Sequence, residues 1–215
     1  MATKYVYYFG DGDAEGDESM RLILGGKGAN LAQMAKKPLS LPAPSGFTIS
    51  IDVCQEYYKL GRKYPDALAA EVAANLEKLE KSMGKKLGDE NDPLLVSVRS
   101  GAAESMPGMM DTILNLGLND KSVLGLANKT NNPRFAWDAY RRFIQMYGNV
   151  AMGVEHDKFE EILSGVKAKK GVKEDVELST EDLQEVVKQY KAMYKAEKGS
   201  DFPQDPQEQM WGAIG

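Results

Sequence analysis

One cysteine, one histidine and two tryptophans among 215 residues remove several classes of chemistry at the outset. Cys54 alone cannot form an internal disulfide, and with His156 alone it cannot complete a Cys/His zinc site. A reducing compartment is expected. Basic charge is also short: 27 Lys and Arg face 32 Asp and Glu, a net charge of -5. The chain therefore carries no electrostatic footprint for nucleic acid or an anionic membrane surface. No apolar run approaches the ~20 residues of a bilayer span. Met1 to Gly10 lacks a basic stretch followed by an apolar one and runs directly into the strand-like Tyr5-Val6-Tyr7-Tyr8-Phe9, so no secretory signal is expected. The composition reads as that of a soluble, acidic protein without nucleic-acid or membrane partners.

What the chain does have is concentrated between Leu94 and Asp120, LLVSVRSGAAESMPGMMDTILNLGLND. Leu94, Leu95, Val96 and Val98 predict a buried strand, and Arg99 sits near its exit. A guanidinium needs a partner, and its planar fork matches phosphate or carboxylate oxygens two at a time. Gly101, Ala102, Ala103 and Ser105 are small enough for backbone amides to approach a ligand, and Pro107-Gly108 marks a turn. Met110 to Leu116 resumes a strand pattern. From spacing alone, a hairpin whose arginine pairs with Asp111 or Glu104 stands level with a phosphate site.

A second cluster, Leu24-Gly25-Gly26-Lys27-Gly28-Ala29-Asn30, places three glycines around one lysine just before a helical pattern with Leu31 and Met34. Backbone amides and a helix N-terminus can there face an anion beside an ammonium. It is not a P-loop, because the glycine spacing is short and Gly28 follows the lysine where Ser or Thr belongs; nor is it a dinucleotide fingerprint. Alone, a Gly-Gly turn with a solvated lysine explains it better. Two glycine-rich, singly basic segments in one small chain favour an anion.

These segments, with Leu41-Pro-Ala-Pro-Ser-Gly-Phe-Thr48 between them, resemble the amino-terminal nucleotide-binding domain of the pyruvate, phosphate dikinases. The resemblance is close over Ser97 to Asp120 and over PRFAWDAYRRFIQMYG from Pro133 to Gly148, and looser from Tyr5 to Trp211. The pyruvate, water dikinases share a GGK segment, a Pro-x-GF segment and a VRS strand but typically differ where this chain has Met106-Pro-Gly-Met-Met-Asp-Thr112. A non-catalytic nucleotide-binding or docking module is the other alternative; retention of both the lysine and the arginine favours an enzyme part.

The resemblance implies an ATP-grasp type site that passes the terminal diphosphate of ATP to a histidine on a mobile central domain. Inorganic phosphate then leaves with one phosphoryl group as pyrophosphate, and the phosphohistidine phosphorylates pyruvate at a carboxy-terminal domain. Overall, ATP, phosphate and pyruvate interconvert with AMP, pyrophosphate and phosphoenolpyruvate. Mg2+ and a monovalent cation (K+ or NH4+) are implied for the full-length enzyme, as are a homodimer and a cytoplasmic or plastid location. By position, Lys27 and Arg99 match the family's phosphate-binding cations and are expected to converge on one polyanion. Gly101 and Gly108 are expected close-approach positions, with Met110 and Thr112 as further ATP contacts. The family enzyme is several times longer, so no metal site and no acceptor histidine are expected in this chain, which should not turn over alone.

The expected fold class is α+β, with an ATP-grasp type α/β layered subdomain over 1–117, a helical subdomain over 118–200, and a linker with the start of a third subdomain over 201–215. Strands are predicted at 5–9, 46–50, 94–100 and 110–116, and helices near 28–37, 51–61 and 66–83, the last with Leu68, Val72, Leu76, Leu79 and Met83 facing the sheet. Beyond Asn119 the pattern is helical. Tyr140, Phe143, Ile144, Tyr147 and Ala151 form one stripe and Phe159, Ile162, Leu163 and Val166 another. Leu183, Val186, Val187, Tyr190 and Tyr194 follow a Ser179-Thr-Glu-Asp182 cap signal. His156 lies among Glu155, Asp157, Glu160 and Glu161, which suits a solvated side chain at a helix start rather than a phosphoryl acceptor. Arg141 and Arg142 are expected to pair internally, with Asp138 or loop carboxylates. Pro203, Asp205 and Pro206 read as a break, and Trp211 as exposed.

Overall fold

A computed structural model describes residues 3–39, 41–101 and 111–215. The chain is α+β and divides into two compact units. The first takes in residues up to Gly84 and the segment beginning at Ser100; the second takes in Lys85–Arg99 and Asp111–Gly215.

In the first unit, β1 (Val6–Gly10), β2 (Asp13–Ala14) and β3 (Gly46–Ile49) form an antiparallel sheet in the order β2-β1-β3. Register pairs Val6 with Ile49, Tyr7 with Thr48, Tyr8 with Phe47 and Phe9 with Gly46. Three helices accompany it: α1 (Arg21–Ala35), α2 (Ile51–Lys59) and α3 (Leu68–Met83). Phe9, Ala14, Leu24, Ala29, Ala32 and Ala35 form the core on the α1 side. Small alanines at turn spacing let α1 approach the sheet closely, and Ile23 and Leu31 pack partly buried against this cluster. On α3, Leu68, Val72, Leu76 and Leu79 are buried as the periodicity predicts, whereas Met83, in the last turn, is 42% exposed. The Glu71 carboxylate of α3 accepts from both the Tyr5 and Val6 amides at 2.8 Å, tying helix to strand end.

The glycine cluster opens the helical stretch that carries Leu31 and Met34, as expected, but a short helical stretch over 21–24 precedes it within α1, and the two meet at a kink at Gly25, whose φ of 71° and ψ of 168° lie outside the helical region. One expectation is corrected. The strand expected over 94–100 is two short ones. β5 (Pro93–Leu94) pairs in parallel with β4 (Lys86–Leu87), and β6 (Val96–Arg99) pairs antiparallel with β7 (Thr112–Leu116), with the break at Leu95. Only Leu94 of its apolar residues is fully buried; Val96 and Val98 are half-buried between exposed Ser97 and Arg99. The apolar run mimicked a single buried strand because periodicity carries no information about a change of partner.

The second unit is predominantly helical: α4 (Ser122–Thr130), α5 (Pro133–Met146) with a wider final turn over Tyr147–Ala151, α6 (His156–Lys170), α7 (Thr180–Lys198) and α8 (Pro206–Ile214). Pro133 occupies the first turn of α5, where Asn132 caps the Phe135 amide at 3.0 Å. Most of the predicted stripes form the core: Tyr140, Phe143, Ile144, Tyr147, Phe159, Leu163, Val166, Leu183, Val186, Val187, Tyr190 and Tyr194 are buried, whereas Ala151 and Ile162 are half-buried. Phe202, in the extended segment before α8, is the hub. Its ring lies 5.4–6.5 Å from those of Tyr140, Phe143, Tyr147 and Tyr194, mostly edge to face, the arrangement aromatic quadrupoles favour. Burial raises the Tyr147 hydroxyl to about 12. Trp211 is half-buried rather than exposed, since α8 packs on β6 and β7.

Among the described residues no helix is long and apolar enough to cross a membrane.

Candidate functional site

Gly25 turns the backbone out of the helix, and the helical segment resumes at Gly26 and Lys27. Such a φ is open to glycine and strained for other residues. Lys27 is half-buried, and its Nζ donates to the Ser100 carbonyl oxygen at 3.1 Å. Ser100 follows Arg99 in the chain. The glycines around the lysine differ in their surroundings. A Cβ on Gly28 would stand 2.7 Å from Thr48 Cγ2 and 2.9 Å from its Oγ1, so this glycine lets α1 seat on β3. A Cβ on Gly26 would meet none of the described residues within 4 Å.

In the second unit, β6 and β7 present the other candidates. Arg99 pairs in register with Thr112, and Val98 with Ile113. Residues opposite one another in an antiparallel pair project from the same face, so Arg99 and Thr112 are brought together on the face away from buried Ile113. A bulge between Val96 and Val98 accommodates an extra residue in β7, where Asn115 takes φ 60°. Asparagine tolerates that conformation, and bulges re-aim side chains at strand ends. The far end of β7 is fixed by Gln209 of α8, which is fully buried. Its Oε1 accepts from the Gly117 amide at 3.1 Å, and its Nε2 donates to the carbonyls of Leu118 at 2.9 Å and Pro203 at 2.8 Å.

Gly101 is exposed, and a Cβ there would also meet none of the described residues within 4 Å. Gly108 and Met110 lie outside the described residues, as does Glu104. Sequence reasoning missed Ser100 as an acceptor, Thr48 as the residue that shapes the glycine segment, and Gln209 as the anchor of β7. No linear signal marks them: Lys27 and Ser100 are 73 positions apart, and Gly117 and Gln209 are 92 apart.

The remaining titratable candidates behave as expected. His156 opens α6 with its side chain 57% exposed and Nε2 3.6 Å from Glu160 Oε1. Arg141 is 5% exposed, and its Nη2 donates to Asp138 Oδ1 at 2.6 Å, while Arg142 Nη2 donates to Asp138 Oδ2 at 2.6 Å. One carboxylate thus holds both arginines beside a cavity of about 430 Å³ that Gln145, Met146, Glu160 and Asp175 also line. Burial works to raise the Asp175 carboxyl, but Lys167 and Arg141 outweigh it and hold the group below its ordinary value. Among the described residues no group of three or more His, Cys, Asp or Glu is gathered as a metal site would need.

No protein-family model matches the chain. Curated relatives match it along almost its whole length. It is 53% identical over 213 residues to the pyruvate, phosphate dikinase of Rhizobium meliloti (strain 1021), a match covering 99% of this chain and 24% of the relative. It is 54% identical over 217 residues to that of Giardia intestinalis, covering 100% and 24%. To pyruvate, phosphate dikinase 1, chloroplastic, of Arabidopsis thaliana it is 52% identical over 214 residues, covering 100% and 22%. The chain therefore spans about a quarter of the length of these relatives. From end to end, this chain is homologous to a portion of the pyruvate, phosphate dikinases.

Proposed function

We propose that this chain grips the phosphates of ATP in a pyruvate, phosphate dikinase, within an ATP-grasp type fold. The observation that carries the reading is the seating of the Lys27 ammonium on the carbonyl of Ser100, the residue next to Arg99, in a chain similar throughout to dikinases. Phosphoryl transfer asks a protein chiefly for positioning and for neutralisation of charge on the moving oxygens. Lys27 supplies a compact ammonium that exchanges the Ser100 oxygen for a phosphate oxygen. Arg99 supplies a planar fork suited to two phosphate oxygens, and the Thr112 hydroxyl beside it can donate to a third. Gly101 lets backbone approach the nucleotide, and Gly108 and Met110, outside the described residues, are further ATP contacts in this reading.

The complete enzyme would interconvert ATP, phosphate and pyruvate with AMP, pyrophosphate and phosphoenolpyruvate. His156, exposed beside Glu160, is a poor landing place for a polyphosphate, and the kinship with dikinases implies an acceptor histidine on a central domain outside these residues. Pyruvate is handled by a carboxy-terminal domain. Mg2+ enters on the nucleotide, with K+ or NH4+ in the complete enzyme, a homodimer of the cytoplasm or of a plastid.

The test separates the two half-reactions in the complete polypeptide. Arg99→Ala is expected to abolish phosphorylation of the protein by ATP while leaving phosphorylation by phosphoenolpyruvate largely intact. Equal loss of both would mark a folding defect, and full retention of the ATP reaction would refute the role of Arg99.

A further inference from the structure

Glycine has two ordinary warrants within a folded chain: a backbone conformation that other residues resist, or a neighbour too close for a Cβ. Gly25 has the first, with φ 71°. Gly28 has the second, with Thr48 at 2.7 Å. Gly26 has neither: its backbone is helical, and a Cβ would meet none of the described residues within 4 Å. Glycine is nonetheless among the least favourable residues for a helix, and alanine would serve the fold better. Gly101 likewise has no left-handed φ, and a Cβ there would meet none of the described residues within 4 Å. These two residues adjoin, on either side, the contact between Lys27 and Ser100.

We infer that Gly26 is a position that governs phosphate access: it keeps clear the space beside Lys27 through which an anionic oxygen of a nucleoside triphosphate approaches, space that even one methyl group obstructs. The inference rests on the ATP-binding reading and adds to it a residue whose contribution is the absence of a side chain. An ammonium tolerates crowding poorly, because its attraction to a phosphate oxygen depends on direct approach of the two. The three atoms of a valine side chain therefore obstruct more than the single atom of an alanine, while both residues suit a helix better than glycine does.

The experiment uses the complete polypeptide and measures MgATP affinity by calorimetry beside the melting temperature without nucleotide. Gly26→Ala is expected to bind MgATP roughly 10-fold more weakly and Gly26→Val roughly 100-fold more weakly, each melting no lower than the parent. Gly165→Ala is the control: Gly165 also has open space at its Cβ but sits within α6, so its affinity should be unchanged. If both Gly26 variants bind as the parent does while Lys27→Ala binds weakly, the inference falls and the ATP site survives. If Lys27→Ala and the Gly26 variants all bind as the parent does, the ATP-binding reading falls with it. A lowered melting temperature in Gly26→Ala would mark a structural position and also overturn the inference.

Discussion

Gly25, Gly26 and Gly28 surround one lysine, and each stands there for its own reason. The packing role of Gly28 is testable without any ligand. A methyl group there collides with Thr48, an overpacking penalty of about 1–3 kcal/mol, reduced by the ~1 kcal/mol that alanine returns to a helix. Gly28→Ala should therefore lower the urea unfolding midpoint, and adding Thr48→Ala, which removes both colliding atoms, should restore most of it. Independent, additive effects of the two substitutions would show that the collision is not what matters. Gln209 illustrates the converse case. It is fully buried, yet one amide group pairs with an N–H and two carbonyls, which is why a polar residue is tolerated where apolar ones would be expected.

At the scale of elements, local chemistry sets the boundaries well where a cap is present. Ser179 accepts from the Asp182 amide at 3.2 Å, and Asp182 accepts from the Ser179 amide at 3.0 Å, the reciprocal box the sequence announces. Lys170, with Nζ 2.7 Å from Asp182 Oδ1, and then the Ser179 amide hold the Asp182 carboxyl below its ordinary value. Because the folded value is the lower one, this stabilisation is complete above pH ~4, the ordinary carboxylate range, and is lost as pH falls below it through the folded value. Ser179→Ala should cost about 1 kcal/mol at neutral pH, and Asp182→Asn should flatten the acid limb of a stability-against-pH curve. Acid limbs that run parallel in the parent and Asp182→Asn would contradict this. The strand boundaries were far less legible. Leu94 and Val96 serve different sheets, and a run of apolar β-formers looks the same whether one partner strand or two receive it. The break at Gly25 was equally hidden, since a glycine pair before a helical pattern and a glycine kink within one share the same letters.

For the molecule as a whole, the helical unit is organised by an aromatic core whose hub lies in a segment that composition marks as a break. Phe202 is 2% exposed although Pro203, Asp205 and Pro206 follow it closely. The amphipathic stripes of α5, α6 and α7 could be read because each repeats within a few turns of its own helix. The burial of Phe202 depends instead on rings contributed by α5, by the turn that follows it and by α7. At the same scale, the chain spans 24% or less of its dikinase relatives named above. The 215-residue chain by itself is accordingly expected to fold yet to bind MgATP weakly or not at all. A calorimetric titration giving tight binding to this chain, with circular dichroism to verify helix content, would refute that expectation.

The sequence by itself determined the mixed α and β composition, the apolar faces of α3, α5, α6 and α7, the cap of α7, the internal pairing of Arg141 and Arg142 with Asp138, and the kinship with dikinases. These follow from periodicity, from charges three or four positions apart and from runs of identical residues, all of which are local along the chain. Only the tertiary structure decided that Lys27 rests on Ser100, that Gly28 yields to Thr48, that Arg99 stands across from Thr112 over a bulged strand, and that Gln209 and Phe202 hold the second unit together. Each of those depends on two residues far apart in sequence arriving at one place. The chain folds as a sum of many weak contacts, and no single stretch of letters carries the information about which distant surface it will meet.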